Sequence, residues 1–443
     1  MRRCENELGE IRKSRILVMT PRDPYPPIGG DRLRIHRLAR ALARRYELTL
    51  LTLCESERER HAALPDDGVF TRVHRVVLPR WRSWLNALAA LPRREPLQVA
   101  YYRSGAFRTI AASLAREHDA VLAHLVRTAD YARDERAVRV LEMTDAISLS
   151  MERVASASVD YFDLRRLAYL VEARRLAAYE RRVAAGFDLV VLNSKVDRDF
   201  LFGTAGVPDE RTMVVPNGVD MPSQEPPAQA MRRPGEIAFV GNLASLQNFD
   251  AAWYFARHAL PMIRDRHPHA VLKIIGPIRR SAARRLAALP GVRVEGLVPS
   301  LEDALGTARV GVCPVRVGAG MQNKVLDYFA HRLAVVCSPA ALEGLAAPCA
   351  EQHVLLADGA GEWARQVNRF LDDEALAQRF ADAGRALAGE HFRWDRCVLP
   401  LLGRLDSLIT QRRYARQSQS PDSSEVPSAW TALRAPDSRS SAT

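Results

Sequence analysis

Short runs of consecutive apolar residues, each followed by a loop and a longer amphipathic stretch, recur along nearly the whole chain. The first run, Arg-Ile-Leu-Val-Met-Thr at 15–20, leads into a Pro- and Gly-bearing loop at 24–30. A stretch from Asp31 then carries Leu33, Leu38, Ala41 and Leu42 at helical spacing, and a second run spans 47–53. Runs this short and this uniformly apolar read as strands covered on both faces. Their alternation with helices predicts a parallel sheet with right-handed crossovers. Further strands are expected at 119–125, 138–142 and 188–193, and residues 212–220 close the series. The stretch 221–235, rich in Pro, Gln and Arg, reads as a linker. A second series follows, with strands at 236–241, 270–276, 292–295, 309–314 and 333–337 and helices over 248–265, 280–288, 300–307 and 321–331. The expected fold class is therefore α/β, with two Rossmann-like domains, 14–220 and 235–391, facing each other across a cleft. A helix over 392–413 is expected to pack back on the first domain. The Ser- and Pro-rich tail 415–443 is expected to be disordered.

The chain has 64 Lys and Arg against 52 Asp and Glu, a formal charge of +12, with Arg far outnumbering Lys. A diffuse positive field suits phosphate-bearing small molecules, anionic lipid surfaces or nucleic acid, and is equally what an arginine-rich solvated surface carries. No zinc finger, RNA-binding aromatic signature or helix-turn-helix pattern is present, so no nucleic-acid partner is expected. Cys4, Cys54, Cys313, Cys337, Cys349 and Cys397 form no CxxC pair and no zinc-type cluster. Asp197-Arg198-Asp199 reads as a solvated helix face, and no metal site is expected. The charged N-terminus lacks a signal-peptide core and no apolar stretch reaches 18 residues, so the expected location is cytoplasmic, at most peripheral at the inner face of the membrane. One stretch bears on that last point. Residues 72–103 hold seven Arg, Trp81, Trp84 and a single acid, Glu95, with Leu85, Leu88 and Leu91 at helical spacing. They read either as a basic amphipathic helix lying on an anionic membrane or as an ordinary helix facing its own core.

Ligands of doubly wound sheets sit beyond the carboxyl ends of the strands, so motifs matter there. Gly29-Gly30, after the first strand, lets backbone N–H groups approach a phosphate at a helix N-terminus, although no GxGxxG fingerprint is present. Residues 318–331, Gly-Ala-Gly-Met-Gln-Asn-Lys-Val-Leu-Asp-Tyr-Phe-Ala-His, follow a buried strand and open a helix. There the helix N-terminus offers unpaired N–H donors, Lys324 reaches the same anion, and Asp327, three residues on, shares its face. Phosphate donors followed by a hydroxyl acceptor suit a nucleoside diphosphate. The same residues also suit a plain glycine turn with a solvated Lys and a surface Asp. Asp145, after the strand at 138–142, faces the same cleft by topology and reads as an acceptor or sugar contact or as a helix cap.

The pattern Gly-x-Gly-x-x-x-Lys-Val-Leu-Asp-Tyr-Phe-Ala resembles the donor site of glycosyltransferase family 4. Pro26–Gly30, Val215–Asp220, Phe239–Leu243 with Asn248 and Asp250, and Ala341–Leu345 resemble further family segments in the right order, over about residues 15–410. The resemblance implies the GT-B fold, two facing Rossmann-like domains, and a transferase that retains anomeric configuration without metal or cofactor, using a nucleotide-diphosphate-sugar as donor substrate. Gln322-Asn323-Lys324 points to the branch linked to bacterial exopolysaccharide and cell-surface glycan assembly, with a glycan or lipid-linked acceptor. By position, Asp327 would bind the ribose, Lys324 the diphosphate, and His124 the transferred sugar. Gly29, Gly30, Gly241, Asn242, Arg316, Gly318, Gly320 and Met321 would surround the donor. The catalytic set implied is His124, Asp145 and Lys324. Two positions depart from the family pattern. Ala319 stands where many members carry the first acid of Glu-x7-Glu, and Asn242, with no Lys nearby, stands where many carry an Arg. A nucleotide-sugar epimerase-like enzyme or a degenerate sugar-nucleotide-binding scaffold would share the architecture.

Overall fold

The computed structural model describes residues 13–132, 136–156, 163–203, 209–318, 320–345 and 350–418. In the first domain the elements that position the site are β1 (Arg15–Thr20), α1 (Gly30–Leu42), β2 (Glu47–Cys54), β3 (Arg72–Val77), α2 (Arg80–Ala90) and α3 (Leu97–Tyr101). They are followed by β4 (Ala120–His124), β5 (Val138–Thr144), α4 (Ile147–Ser156), α5 (Asp163–Ala184), β6 (Leu189–Leu192) and β7 (Thr212–Val214). The seven strands pair in parallel in the order β3-β2-β1-β4-β5-β6-β7. The order reverses between β1 and β4, and the crevice at such a switch opens beyond their carboxyl ends. Gly29 and Gly30 leave β1 into that crevice, and His124 ends β4 there. Apolar side chains cover both faces. Leu17, Met19, Leu51 and Leu141 pack on one side, and Ile16, Val18, Leu48 and Val140 on the other.

The second domain repeats the plan with β8 (Glu236–Val240), α6 (Leu246–Tyr254), β9 (Val271–Ile275), β10 (Val292–Gly296) and β11 (Val310–Cys313). Then come α7 (Asn323–Ala330), β12 (Ala334–Cys337), β13 (Leu355–Leu356), α8 (Ala360–Asp372) and α9 (Glu374–His391). Its six strands run parallel in the order β10-β9-β8-β11-β12-β13. Here the switch lies between β8 and β11, so Gly241-Asn242 and the loop 314–322 flank the second crevice. The helix expected over 248–265 runs on past α6 to Arg266, widened by a π-turn at Phe255–Ala259. Pro261 opens the next helical segment and has no N–H to continue the ladder.

The linker 221–235 is anchored. Buried Arg232 donates to the carbonyls of Leu305 (2.8 Å), Ala308 (2.7 Å) and His331 (2.7 Å). A last helix, α10 (Trp394–Gln417), packs Trp394, Val398, Leu401, Leu405 and Ile409 into the core of the first sheet. The chain therefore crosses between the domains twice, and the two crossings are bonded to each other: Val219 N donates to Phe392 O at 2.6 Å and Val219 bridges Arg393. Residues 415–417, read as disordered tail, continue α10, and 419–443 lie outside the described residues.

The basic stretch 72–103 divides rather than forming one helix. Arg72–Val77 is the edge strand β3, paired along β2 from Thr49 to Cys54, because Val73, Val76 and Val77 supply the β-branched residues an edge strand needs. Only Arg80–Ala90 is the helix α2. It turns Ser83, Ala87 and Ala90 inward and leaves Trp81, Trp84, Leu85 and Leu88 exposed.

Candidate active site between the two sheets

Gly29, at φ +99°, is the N-cap of α1, a backbone conformation that side-chain-bearing residues rarely adopt. Asp31 in the first turn pairs with Arg22. One turn further Arg34 points into the protein and is fully buried. Its Nε donates to Glu142 Oε1 at 2.7 Å and its Nη1 to Asn217 Oδ1 at 2.7 Å. Glu142, on β5, receives His124 Nδ1 on its other oxygen at 2.5 Å. Burial pushes the Glu142 carboxyl up, but Arg34 and His124 outweigh this and hold it at about 2. His124, only 2% exposed, thus lies behind the cleft, with Nδ1 committed and Nε2 without a hydrogen-bond partner among the described residues.

The network continues across the domain boundary. Asn217 donates its side-chain N–H to Asn323 Oδ1 (2.7 Å) and its backbone N–H to Met321 Sδ (3.1 Å). Arg153 of α4 donates to Gly318 O at 2.7 Å and pairs with Glu343 at 2.7 Å. Gln247 at the start of α6 donates to Ser150 Oγ at 2.7 Å. Gly320, at φ +74°, lies so close to Asp145 that a β-carbon there would sit 3.1 Å from the Asp145 Cβ. These contacts enclose a cleft of about 310 Å³ lined by Arg22, Gly30, Asp31, Leu125, Arg127, Thr144, Asp145, Ile147, Ser150, Asn193, Asn217, Met321 and Asn323. Leu125 and Thr144, at the carboxyl ends of β4 and β5, hold φ of +63° and +67°. Such values strain residues with bulky or β-branched side chains, and such strain collects at functional sites. A larger hollow of about 740 Å³ opens beside Arg139 at the start of β5, at the amino ends of the strands.

Asp145 is half-buried and accepts no hydrogen bond among the described residues. Burial and the neighbouring Asp197 carboxylate push it up to about 7. Asp197 is not on a solvated helix face, as the Asp-x-Asp pattern suggested. It is fully buried and accepts the Ala146 N–H at 2.9 Å. Glu180, pushed by burial to about 8, accepts the Ile147 N–H at 3.1 Å and the Ser148 hydroxyl. Two acids thus satisfy the open N–H groups at the start of α4, and their proximity disfavours a charge on Asp145.

On the second-domain side Lys324 is buried. Its Nζ donates to Asn248 Oδ1 (3.1 Å) and Gln322 Oε1 (2.9 Å) and lies 5.8 Å from the centre of the Phe239 ring. Gly241 packs against Asn248, and Asn242 caps its own turn by accepting the Ala244 N–H at 3.0 Å. Asp327 is half-buried, and its carboxyl has no hydrogen-bond partner among the described residues. Burial raises its carboxyl to about 7, against the attraction of Lys324 and with a further push from Asp220. Arg316 is exposed, makes two bonds to Asp250 (2.6 and 3.0 Å) and stacks over Tyr254 at 4.5 Å. Ala319 lies outside the described residues.

The cleft therefore brings together Gly30, Asp145 and Met321, with Gly29, Gly318 and Gly320 on its edges and His124 behind it. Gly241, Asn242 and Lys324 gather at the start of α6, Asp327 lies one turn along α7, and Arg316 faces outward on Asp250. Sequence reasoning missed Arg22, Asp31, Arg34, Arg127, Glu142 and Asn193. One signal was available: Glu142 is the lone charge in the apolar half of its strand, and a lone charge there needs a buried partner.

A sequence model of the family described as "Glycosyltransferase Family 4" matches residues 28–221, and one described as "Glycosyl transferases group 1" matches 234–373. Each falls on one of the two sheets, in the order the fold requires. The chain belongs to the GT-B glycosyltransferases. Solved structures share the fold of this GT-B glycosyltransferase. A sucrose-phosphate synthase from Thermosynechococcus elongatus aligns with TM-score 0.64 at 15% identity over 90% of this chain and 100% of its own. An α,α-trehalose 6-phosphate synthase from Burkholderia multivorans gives 0.60 at 15% over 90% and 99%. HepE from Anabaena in complex with UDP-glucose gives 0.55 at 15% over 91% and 100%. No curated protein sequence matches this GT-B glycosyltransferase. Among its described residues no helix is long and apolar enough to cross a membrane.

Proposed function

We propose that this glycosyltransferase moves a sugar from a nucleoside-diphosphate donor, with retention of configuration, onto a glycan or lipid-linked acceptor in bacterial exopolysaccharide or cell-surface glycan assembly. In this reading it works at the cytoplasmic face of the membrane and needs no metal or cofactor. The observation that carries the reading is the meeting of the two switch points: the loop after β1 and the loop after β11 face each other across one cleft, with Gly30 next to Asn323 and Gly320 against Asp145. The co-crystallisation of HepE with UDP-glucose supports a nucleotide-sugar donor for a chain of this fold.

In the proposed complex the diphosphate lies toward the starts of α6 and α7, where Lys324 is held by Asn248 and Gln322. The Asp327 carboxyl, which lacks a partner among the described residues, takes the ribose hydroxyls. Asn193, whose buried Oδ1 has no hydrogen-bond partner among the described residues, and Asp145 supply polar contacts for sugar or acceptor hydroxyls. His124, fixed by Glu142, presents Nε2 toward the transferred sugar. In the transfer the acceptor oxygen bonds to the anomeric carbon while the bond from that carbon to the phosphate oxygen breaks, and the acceptor proton passes to the departing phosphate. Negative charge develops on that phosphate, so the main contribution is electrostatic, from Lys324 and the helix N-termini.

The test is calorimetric titration with UDP-, GDP-, ADP- and dTDP-sugars, repeated on Lys324→Ala and Asp327→Ala. One of the nucleotides should bind, and each variant should weaken it by about tenfold or more, the loss of one charge-assisted contact. Unchanged affinity in both variants overturns the assignment. Tight binding without turnover on any acceptor turns the reading toward a scaffold.

A further inference from the structure

We propose that α2 is a docking helix that seats the first domain on an anionic lipid bilayer; the acceptor it would serve rests on the reading above, whereas the docking itself does not. The helix is turned inside out relative to an ordinary surface helix. Its small residues Ser83, Ala87 and Ala90 face the protein, and Trp81, Trp84, Leu85 and Leu88, with Leu91 just beyond, are each more than half exposed. A contiguous stripe of this kind marks an interaction surface.

The charge around the stripe selects the partner. Two acids that reach this stretch, Glu55 and Glu95, are already neutralised: Glu55 accepts Arg80 at 2.5 Å and Glu95 pairs with Arg103. Arg82, Arg93 and Arg94 are exposed and have no ion pair among the described residues. An apolar face with two Trp and a rim of unneutralised Arg matches the boundary between acyl chains and anionic headgroups. A second copy of the chain on the same face would set these arginines against each other, which disfavours self-association.

The patch is also continuous with the cleft. Trp84 meets Tyr101 edge-on at 5.6 Å, Tyr101 meets Tyr102 at 5.1 Å, and Arg127 lies over Tyr102 at 5.3 Å while lining the cleft opposite the donor-domain loop. A headgroup rising from a membrane under α2 therefore enters on the first-domain side, where an acceptor belongs.

The experiment is vesicle co-sedimentation of the full chain, with phosphatidylcholine vesicles and with equal mixtures of phosphatidylcholine and phosphatidylglycerol. The mixed vesicles should retain the protein, raised salt should release it, and Trp81→Ala/Trp84→Ala should weaken partitioning by about tenfold or more. Arg82→Glu/Arg93→Glu should do the same for the mixed vesicles alone. Trp81 and Trp84 are more than half exposed and Arg82 and Arg93 are exposed, so each variant should stay folded and keep the parent's nucleotide affinity, with at most the small loss of melting temperature that the Trp84–Tyr101 pair accounts for. Equal retention by neutral vesicles, undiminished retention of both variants, or a dimer that the Trp variant dissolves in the absence of vesicle binding would each overturn the proposal.

Discussion

Replacing Arg34 with Met should cost this protein about 3 kcal/mol at neutral pH, and the loss should depend on acid in a defined direction. The Glu142 carboxyl would ordinarily titrate near 4.5 and is held at about 2, with Arg34 as the leading favourable influence. A gap of about 2.5 units at about 1.4 kcal/mol each gives about 3.5 kcal/mol favouring the folded state, most of it from Arg34 and the rest from His124. Because the folded value is the depressed one, this stabilisation is complete above about pH 4.5 and fades as pH falls toward 2. Arg34→Met leaves a fully buried carboxylate with His124 and Thr144 as partners, so the deficit should be largest at pH 7 and shrink as Glu142 becomes protonated. Replacing both partners, Arg34→Met with Glu142→Leu, removes the stranded charge and should recover much of the loss, because buried pairs swapped for apolar side chains of similar volume are often near neutral. Urea denaturation followed by circular dichroism on the parent, both single variants and the double gives the coupling directly. A double variant as unstable as the sum of the singles, or a deficit that does not change with pH, would refute the reasoning.

Three further outcomes follow from the same geometry. Asp145→Asn should stabilise the protein at pH 8 by up to about 4 kcal/mol, since a carboxyl raised from 3.8 to about 7 makes the folded state lose stability as pH rises through that window; the variant should match the parent near pH 4 in thermal melts. Nucleotide affinity should rise as pH passes upward through about 7, because a ribose-accepting Asp327 must be ionised, and Asp327→Asn should flatten that profile in calorimetry. Gly320→Ala should destabilise by about 1 kcal/mol through its positive φ, and should lower affinity by crowding Asp145, read by melting temperature and titration together.

Most strands were legible because each is apolar on both faces, a demand that a parallel sheet between helix layers imposes on every residue. β3 was not, because Arg72, His74 and Arg75 interrupt its valines and an edge strand needs only partial cover. Asp197 shows a related limit. Its Asp-x-Asp spacing says nothing about the open N–H groups of α4 that come to it from 51 residues away. At the site, Gly30, Met321 and Lys324 could be located from local pattern, since glycine loops and helix starts are local features. Arg34 with Glu142, 108 residues apart, could not, because only the assembled sheet brings α1 over β5. The same holds for Asn217, whose part in joining the domains depends on the chain's return to Asn323.

The bonded pair of crossings at Val219 and Phe392 has a mechanical consequence. A domain hung from one strand can swivel freely, but one hung from two strands that hold hands turns about a single line, like a door on its pin. Opening should then carry the loop after β11 away from Gly30 along one arc and return it to the same register, and cutting either crossing should leave a second domain that no longer finds its place.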